Sequence, residues 1–284
     1  MEIDNDGVSL HVAVDGPSGG PTVVLLHGIT SSGATWNWLV PLLSDRYRVL
    51  RPDFRGHGRS ARPGGPYSYS GYVSDAIAVC EQVAGRPAVV VGHSLGGGAA
   101  AALAQQRPDL VQAVVLEDPA LGGSTEITDN SLLEGFTLMR DLLPQVQESG
   151  MSVADLVVAV SALTNGATGR TLGEDLWADA LEGMAESLLA VDVEVLDVVL
   201  DGTLVPPFDP ARPIPVPGVV MAADPASPDA VVRPAHLEIL GRTSPHLQAW
   251  SVAGATHQIH SSMATREAFT AAVRGVLAGL PPST

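Results

Sequence analysis

Ala88-Val89-Val90-Val91-Gly92-His93-Ser94-Leu95-Gly96-Gly97-Gly98 is the stretch whose reading decides the fold. Ala88 to Val91 is a short apolar run, three of its four residues β-branched, as expected of a strand buried on both faces. Immediately after the turn, Leu95 to Gln106 is rich in alanine and reads as a helix. A serine therefore stands where a strand passes abruptly into a helix, with glycine two residues to either side. At so sharp a turn the strand and helix approach without room for Cβ atoms, which explains the glycines. Gly-x-Ser-x-Gly alone is a weak signal. In this strand-to-helix setting it points to Ser94 as a nucleophile, the alternative being a tight structural turn.

Working outward, Val8 to Asp15 alternates like a half-exposed strand, and Thr22 to Leu26, Tyr47 to Arg51 and Val111 to Leu116 read as apolar strands. Trp36 to Leu43 and Tyr72 to Ala84 read as helices between them. The alternation predicts an α/β fold with a mostly parallel sheet and helices on both faces. From about Leu121 to Val205 the strand pattern stops, and segments such as Ser131 to Leu143 and Leu176 to Leu200 look like amphipathic helices. A proline-rich stretch beginning at Pro206 leads back to strand character at Gly218 to Met221. Leu247 to Val252 is the last expected strand and Thr265 to Leu280 the last helix. The expected organisation is a core of residues 1–120 and 212–284, interrupted by a helical cap and return linker at residues 121–211.

Composition narrows the chemistry. All 15 basic residues are arginine, which removes lysine Schiff-base chemistry and a Walker-type phosphate lysine. A formal net charge of −16, with arginines scattered along the chain, argues against nucleic acid as a partner. Cys80 stands alone and sits among apolar residues at helical spacing, as a buried structural thiol would. The first residues lack the pattern of a signal peptide and no apolar run is long enough for a membrane span. The expectation is a cytoplasmic protein, monomeric or homodimeric, acting on a small molecule, without membrane or nucleic-acid partners.

A serine hydroxyl is a poor nucleophile at neutral pH and needs a base. Of eight histidines, His257 in Gly254-Ala255-Thr256-His257 follows the last strand and would emerge at the same sheet edge as Ser94. His260 reads as a local partner or surface residue, and a zinc-binding His257–His260 pair lacks a third ligand of matching spacing. The strand Thr22 to Leu26 ends in His27-Gly28-Ile29-Thr30, where the Ile29 amide can join that of Leu95 as an oxyanion donor. His27, and His57 within Asp53 to Ser60, read as structural residues that brace loops.

These four segments, His27-Gly28, Asp53 to Ser60, Gly92 to Gly97 and Gly254 to His257, resemble in order and spacing the α/β-hydrolase family. The resemblance implies an eight-stranded mostly parallel sheet, a lid placed at the insertion, and a Ser-acid-His triad with no metal or cofactor. The acid departs from the family pattern. It usually follows the strand before the last, where Asp224 stands earlier than expected, and some members carry it after the strand that follows the nucleophile helix, where Glu117 stands. Asp224 and Glu117 both remain candidates, and Asp118 before Pro119 reads as a turn residue. The reading is hydrolysis of a carboxylic ester or lactone, with Trp36, Leu133, Phe136, Met139 and Trp177 expected to line an apolar pocket under the lid, core packing being the alternative for apolar residues at helical spacing. Cofactor-free lyase or dioxygenase chemistry and a ligand receptor are the alternatives on this fold.

Overall fold

The computed structural model describes residues 1–64, 67–122 and 130–280. Eight strands, β1 (Glu2–Asn5), β2 (Val8–Asp15), β3 (Thr22–Leu26), β4 (Arg48–Pro52), β5 (Ala88–His93), β6 (Val111–Glu117), β7 (Gly218–Ala222) and β8 (Leu247–Ser251), form one sheet. Their order is β1-β2-β4-β3-β5-β6-β7-β8. The β1 and β2 pairings are antiparallel, and the six strands from β4 to β8 run parallel.

Successive apolar residues of the central strands go to opposite faces. Val24, Leu26, Val90, Val114 and Leu116 join one core cluster, and Val23, Leu25, Val89, Val91 and Val115 join the other. This is why those strands read as unbroken apolar runs. A short helix α1 (Val40–Leu43) precedes β4, and α2 (Tyr69–Val79) and α3 (Leu95–Gln106) pack on the first face. The region expected as one helix from Trp36 to Leu43 is a short 3-10 turn, Gly33–Trp36, followed by α1.

Between β6 and β7 lie α4 (Ser131–Glu148), α5 (Val153–Ser161), α6 (Leu172–Asp175), α7 (Ala178–Ala190) and α8 (Asp197–Leu200). The segment expected as one helix from Leu176 to Leu200 is broken. The β-branched Val191, Val193 and Val195 weaken helix propensity there, and the Asp192 side chain accepts the Glu194 N–H, capping a separate 3-10 turn at Val193–Leu196. After β7 come α9 (Pro234–Thr243) and, beyond β8, α10 (Arg266–Ala278). The two hydroxyls Ser32 and Ser187 bond at 2.8 Å and Trp177 N–H donates to the Ser261 carbonyl, so α7 is tied to the loops at the C-terminal edge of the sheet. Among the described residues no helix is long and apolar enough to cross a membrane.

Candidate active site

In-register parallel strands place their ends side by side: His93 opposite Glu117, Glu117 opposite Met221, and Ala222 opposite Ser251. Ser94, Asp118 and the loop bearing His257 all leave from this edge, the usual location of ligand sites in open α/β sheets.

Ser94 occupies a strained conformation, φ 53° and ψ −114°. Its amide donates to the Glu117 carbonyl (2.9 Å), and its own carbonyl accepts from Gly98 and Ala120. The flanking glycines are required by close approach. A Cβ on Gly92 would stand 2.3 Å from the Gly96 carbonyl oxygen, and one on Gly96 would stand 2.5 Å from that of Leu26. Among the described residues, the non-glycine positions with positive φ are Asp6, Thr30, Ser94 and Asp118. Three of these four lie at this sheet edge, and strain of that kind persists only where the surroundings overdetermine it.

Thr30 (φ 63°) holds the turn after β3, and neither the Ile29 nor the Leu95 amide donates to a described residue. Both residues line an apolar cavity together with Ser94, as do Leu132 and Phe136 of α4 and Leu204 beyond α8. Among the described residues no charged side chain lines it. Tyr69 also reaches it, but its hydroxyl is spent on the Leu95 and Ala120 carbonyls. The Ser94 hydroxyl makes no hydrogen bond to a described residue and is left to the cavity.

His257 is buried beside Ser94's predecessor: His93 Nε2–H donates to the His257 carbonyl (3.1 Å), and the two rings are 4.7 Å apart. Its Nδ1–H donates to Asp118 Oδ2 at 2.6 Å. Asp118 is fully buried and also accepts the backbone N–H groups of Ala223, Val231 and Val232. Four donors and no facing acceptor suit a carboxylate. Burial opposes protonation of His257, but the Asp118 carboxylate, with Asp229 and Glu117 behind it, outweighs that and holds its pKa above the ordinary value. Nδ1 is thereby fixed as the donor, leaving Nε2 to accept a proton.

Neither acid expected to partner His257 does so. Asp224 accepts the Gly254 and Ala226 amides, which hold its carboxyl below the ordinary range, and it makes no contact with His257. It braces the histidine loop from outside. Glu117 is turned to the other face of β6, where its Oε2 accepts His260 Nδ1–H and its Oε1 the His260 N–H, both at 2.7 Å. Burial alone would push the Glu117 carboxyl up, and the facing His260 and His93 rings and the His260 donors outweigh it to a net lowering. Asp118 is indeed at a turn, with φ 35°, and that turn is what aims its carboxylate across β7 at His257. A pair of acids at the end of a buried strand was the signal for it, since a period of two sends them to opposite faces.

Ile29, Leu95 and, of the expected pocket residues, Phe136 line the cavity, and Trp36, Leu133, Met139 and Trp177 do not. Trp36 is fully buried on the far face, with its ring 4.5 Å from that of His260 and 5.8 Å from that of Phe269. Leu133 and Met139 pack against the core, and Leu132, four residues before Phe136 and so on its helix face, takes their place at the cavity. Trp177 is 44% exposed under the Arg266 guanidinium.

His27 and His57 brace loops. His27 Nδ1–H donates to the Gly28 carbonyl and Nε2 accepts Phe54 N–H, and burial depresses its pKa to about 4. His57 and His93 are pushed to about 3, chiefly by burial. Burial pushes the Cys80 thiol up to about 12, in keeping with an inert structural role. The His93, Glu117 and His260 donor atoms lie within 4.8 Å of one another, as a metal site requires. Most of them are already spent on protein hydrogen bonds: His93 Nε2 on His257, His260 Nδ1 on Glu117 and His260 Nε2 on Thr35.

Known proteins share this fold. A sequence model described as "Alpha/beta hydrolase family" matches residues 23–273. The chain is 34% identical over 198 residues to "Lipase LipV" of Mycobacterium tuberculosis, a stretch that covers 70% of this chain and 63% of that protein. In three dimensions it is similar to an E-2-(acetamidomethylene)succinate hydrolase, with a TM-score of 0.71 at 22% identity and 98% of each chain covered. It is likewise similar to the enol-lactonase of Burkholderia xenovorans LB400, with a TM-score of 0.69 at 23% identity, covering 98% of this chain and 100% of that one. At such identities the solved structures speak to the fold, while the sequence match across most of the chain speaks to descent. This chain belongs to the alpha/beta hydrolase family.

Proposed function

We propose that the chain is a serine hydrolase that cleaves a carboxylic ester or lactone of a small, largely apolar substrate. The observation that carries this reading is the convergence on one cavity of an unbonded serine hydroxyl and two undonated amides, with a buried histidine–carboxylate pair whose histidine lies against the residue before the serine. Ser94 Oγ attacks the carbonyl carbon as His257 Nε2 takes its proton. The Ile29 and Leu95 amides receive the charge that develops on the carbonyl oxygen. Collapse of the tetrahedral intermediate breaks the bond to the leaving oxygen, which takes the proton back from His257. Water, deprotonated by His257, then attacks the acyl-serine and releases the acid with Ser94 restored. Asp118 holds the imidazole in the reactive tautomer and stabilises the imidazolium.

The described lining carries no charge, which favours a neutral acyl group, since an ion would be desolvated against it without a partner. The helices between β6 and β7 serve as its lid, and the lipase and lactonase names among the similar proteins fit the same chemistry. The test is turnover of a panel of neutral and charged p-nitrophenyl esters and lactones, compared with the Ser94→Ala variant and with added chelator. The expected result is hydrolysis of short neutral esters that survives EDTA and is lost in Ser94→Ala. Undiminished turnover in that variant would overturn the reading.

A further inference from the structure

The proposed base is carried by a loop of little regular structure, residues 252–265, so its position depends on the hydrogen bonds that clamp it. Glu117 stands at the centre of those clamps. Its backbone carbonyl accepts the amide of Ser94, the next residue along the chain, Asp118, holds His257, and its own carboxylate grips His260, three residues past His257, by both ring and backbone. His260 then continues outward. Its Nε2 accepts the Thr35 hydroxyl at 3.1 Å, and its ring lies against Trp36 and Phe269. Glu117 and His260 are both buried, 0% and 2% exposed, and neither reaches the cavity that Ser94 faces. Beside the Asp118–His257 pair, therefore, runs a second buried carboxylate–histidine–hydroxyl chain that has no place in the proposed chemistry.

We propose that Glu117, acting through His260, is a positioning residue: the pair locks the histidine loop onto the ends of β5 and β6 so that His257 stays aligned with Ser94. This rests on the reading of Ser94 and His257 as nucleophile and base. A displacement of about 1 Å in a reacting group costs up to about 10²-fold in rate, so a clamp remote from the substrate acts on kcat and leaves KM nearly unchanged. The pairing also tolerates one conservative change. A glutamine at 117 still accepts the His260 amide through Oε1, and its Nε2 can donate to His260 Nδ1 if the ring takes the other tautomer and donates from Nε2 to Thr35.

The experiment compares Glu117→Gln, Glu117→Ala and His260→Phe, the last keeping a ring against Trp36 while losing both ring hydrogen bonds. Reactive sites are titrated with a fluorophosphonate, so that kcat is expressed per competent serine, and KM, thermal midpoint and the downfield Nδ1 proton signal of the His257–Asp118 bond are recorded. That signal is assigned by its loss in Asp118→Asn. Expected are a fall of about 10- to 100-fold in kcat per titrated site for Glu117→Ala and His260→Phe, an unchanged KM, a broadened or lost Nδ1 signal, and near-parental values for Glu117→Gln. Should Glu117→Ala fail to fold, His260→Phe carries the same comparison. A lowered thermal midpoint with parental kcat per site and an intact Nδ1 signal would overturn the proposal and leave Glu117 a stability residue only. If the hydrolytic reading itself fails, Ser94→Ala keeps its activity, and the proton signal still reports whether Glu117 holds His257.

Discussion

Replacing Asp118 with asparagine keeps the volume of the side chain but turns the acceptor facing His257 Nδ1 into a possible donor. The imidazole then loses both its tautomer and the charge that stabilises its protonated form. In serine hydrolases that loss costs roughly 10⁴-fold in turnover, and the same fall in kcat is expected for Asp118→Asn, with the fold kept because the Ala223 and Val232 amides still find an oxygen and only the Val231 amide loses its acceptor. Asp224→Asn removes a charge from a loop brace that does not touch His257, and its kcat is expected to stay near the parent value. Measuring the two variants side by side checks the assignment, and a collapse in Asp224→Asn alone would reverse it. Ser94 and His257 were legible because each follows a strand end in a short, glycine-marked segment. Asp118 was not, because Asp-Pro is the ordinary signature of a turn, and a local signature cannot report that the turn aims a carboxylate at a residue 139 positions away.

At the level of elements, the join of β5 to α3 is the tightest contact of the site. An added methyl at Gly96 would meet the Leu26 and His27 carbonyls at 2.5 and 2.6 Å, and backbone cannot yield as a side chain would. Gly96→Ala is therefore expected to cost about 1–3 kcal/mol of stability, read as a lowered denaturation midpoint, and to pull the Leu95 amide out of line. A parental midpoint would contradict this packing. The central strands were legible almost to the residue because burial on both faces writes itself as a continuous apolar run. The helical region between β6 and β7 was legible as helices but not in its rotation. Phe136 faces the cavity while Leu133 and Met139 face the core, a choice made by tertiary packing. For the same reason Phe136→Ala is expected to raise KM about tenfold or more with kcat little changed, whereas Leu133→Ala should lower stability and spare KM. Equal effects on KM would show that α4 sits differently over the site.

For the molecule as a whole, the distribution of buried histidines sets the pH response. His27, His57 and His93 are held neutral by burial at about 4, 3 and 3, so they do not titrate where the protein works. His257 is held above its ordinary value, so the base becomes protonated and inactive as pH falls through a pKa above about 6.5. The profile of kcat/KM is expected to rise with pH through that value, and Asp118→Asn should move the rise to lower pH, because removing a facing negative charge favours the neutral ring. A rise centred near pH 4 would assign the limb to another group. The central claim, that Ser94 is a nucleophile activated by this arrangement, is tested most directly by fluorophosphonate labelling followed by peptide mapping. The account expects one adduct per chain on the peptide bearing Ser94, absent in Ser94→Ala and formed far more slowly in His257→Ala. An adduct on Thr35, whose hydroxyl is bonded to the His260–Glu117 pair, or no adduct at all, would contradict it.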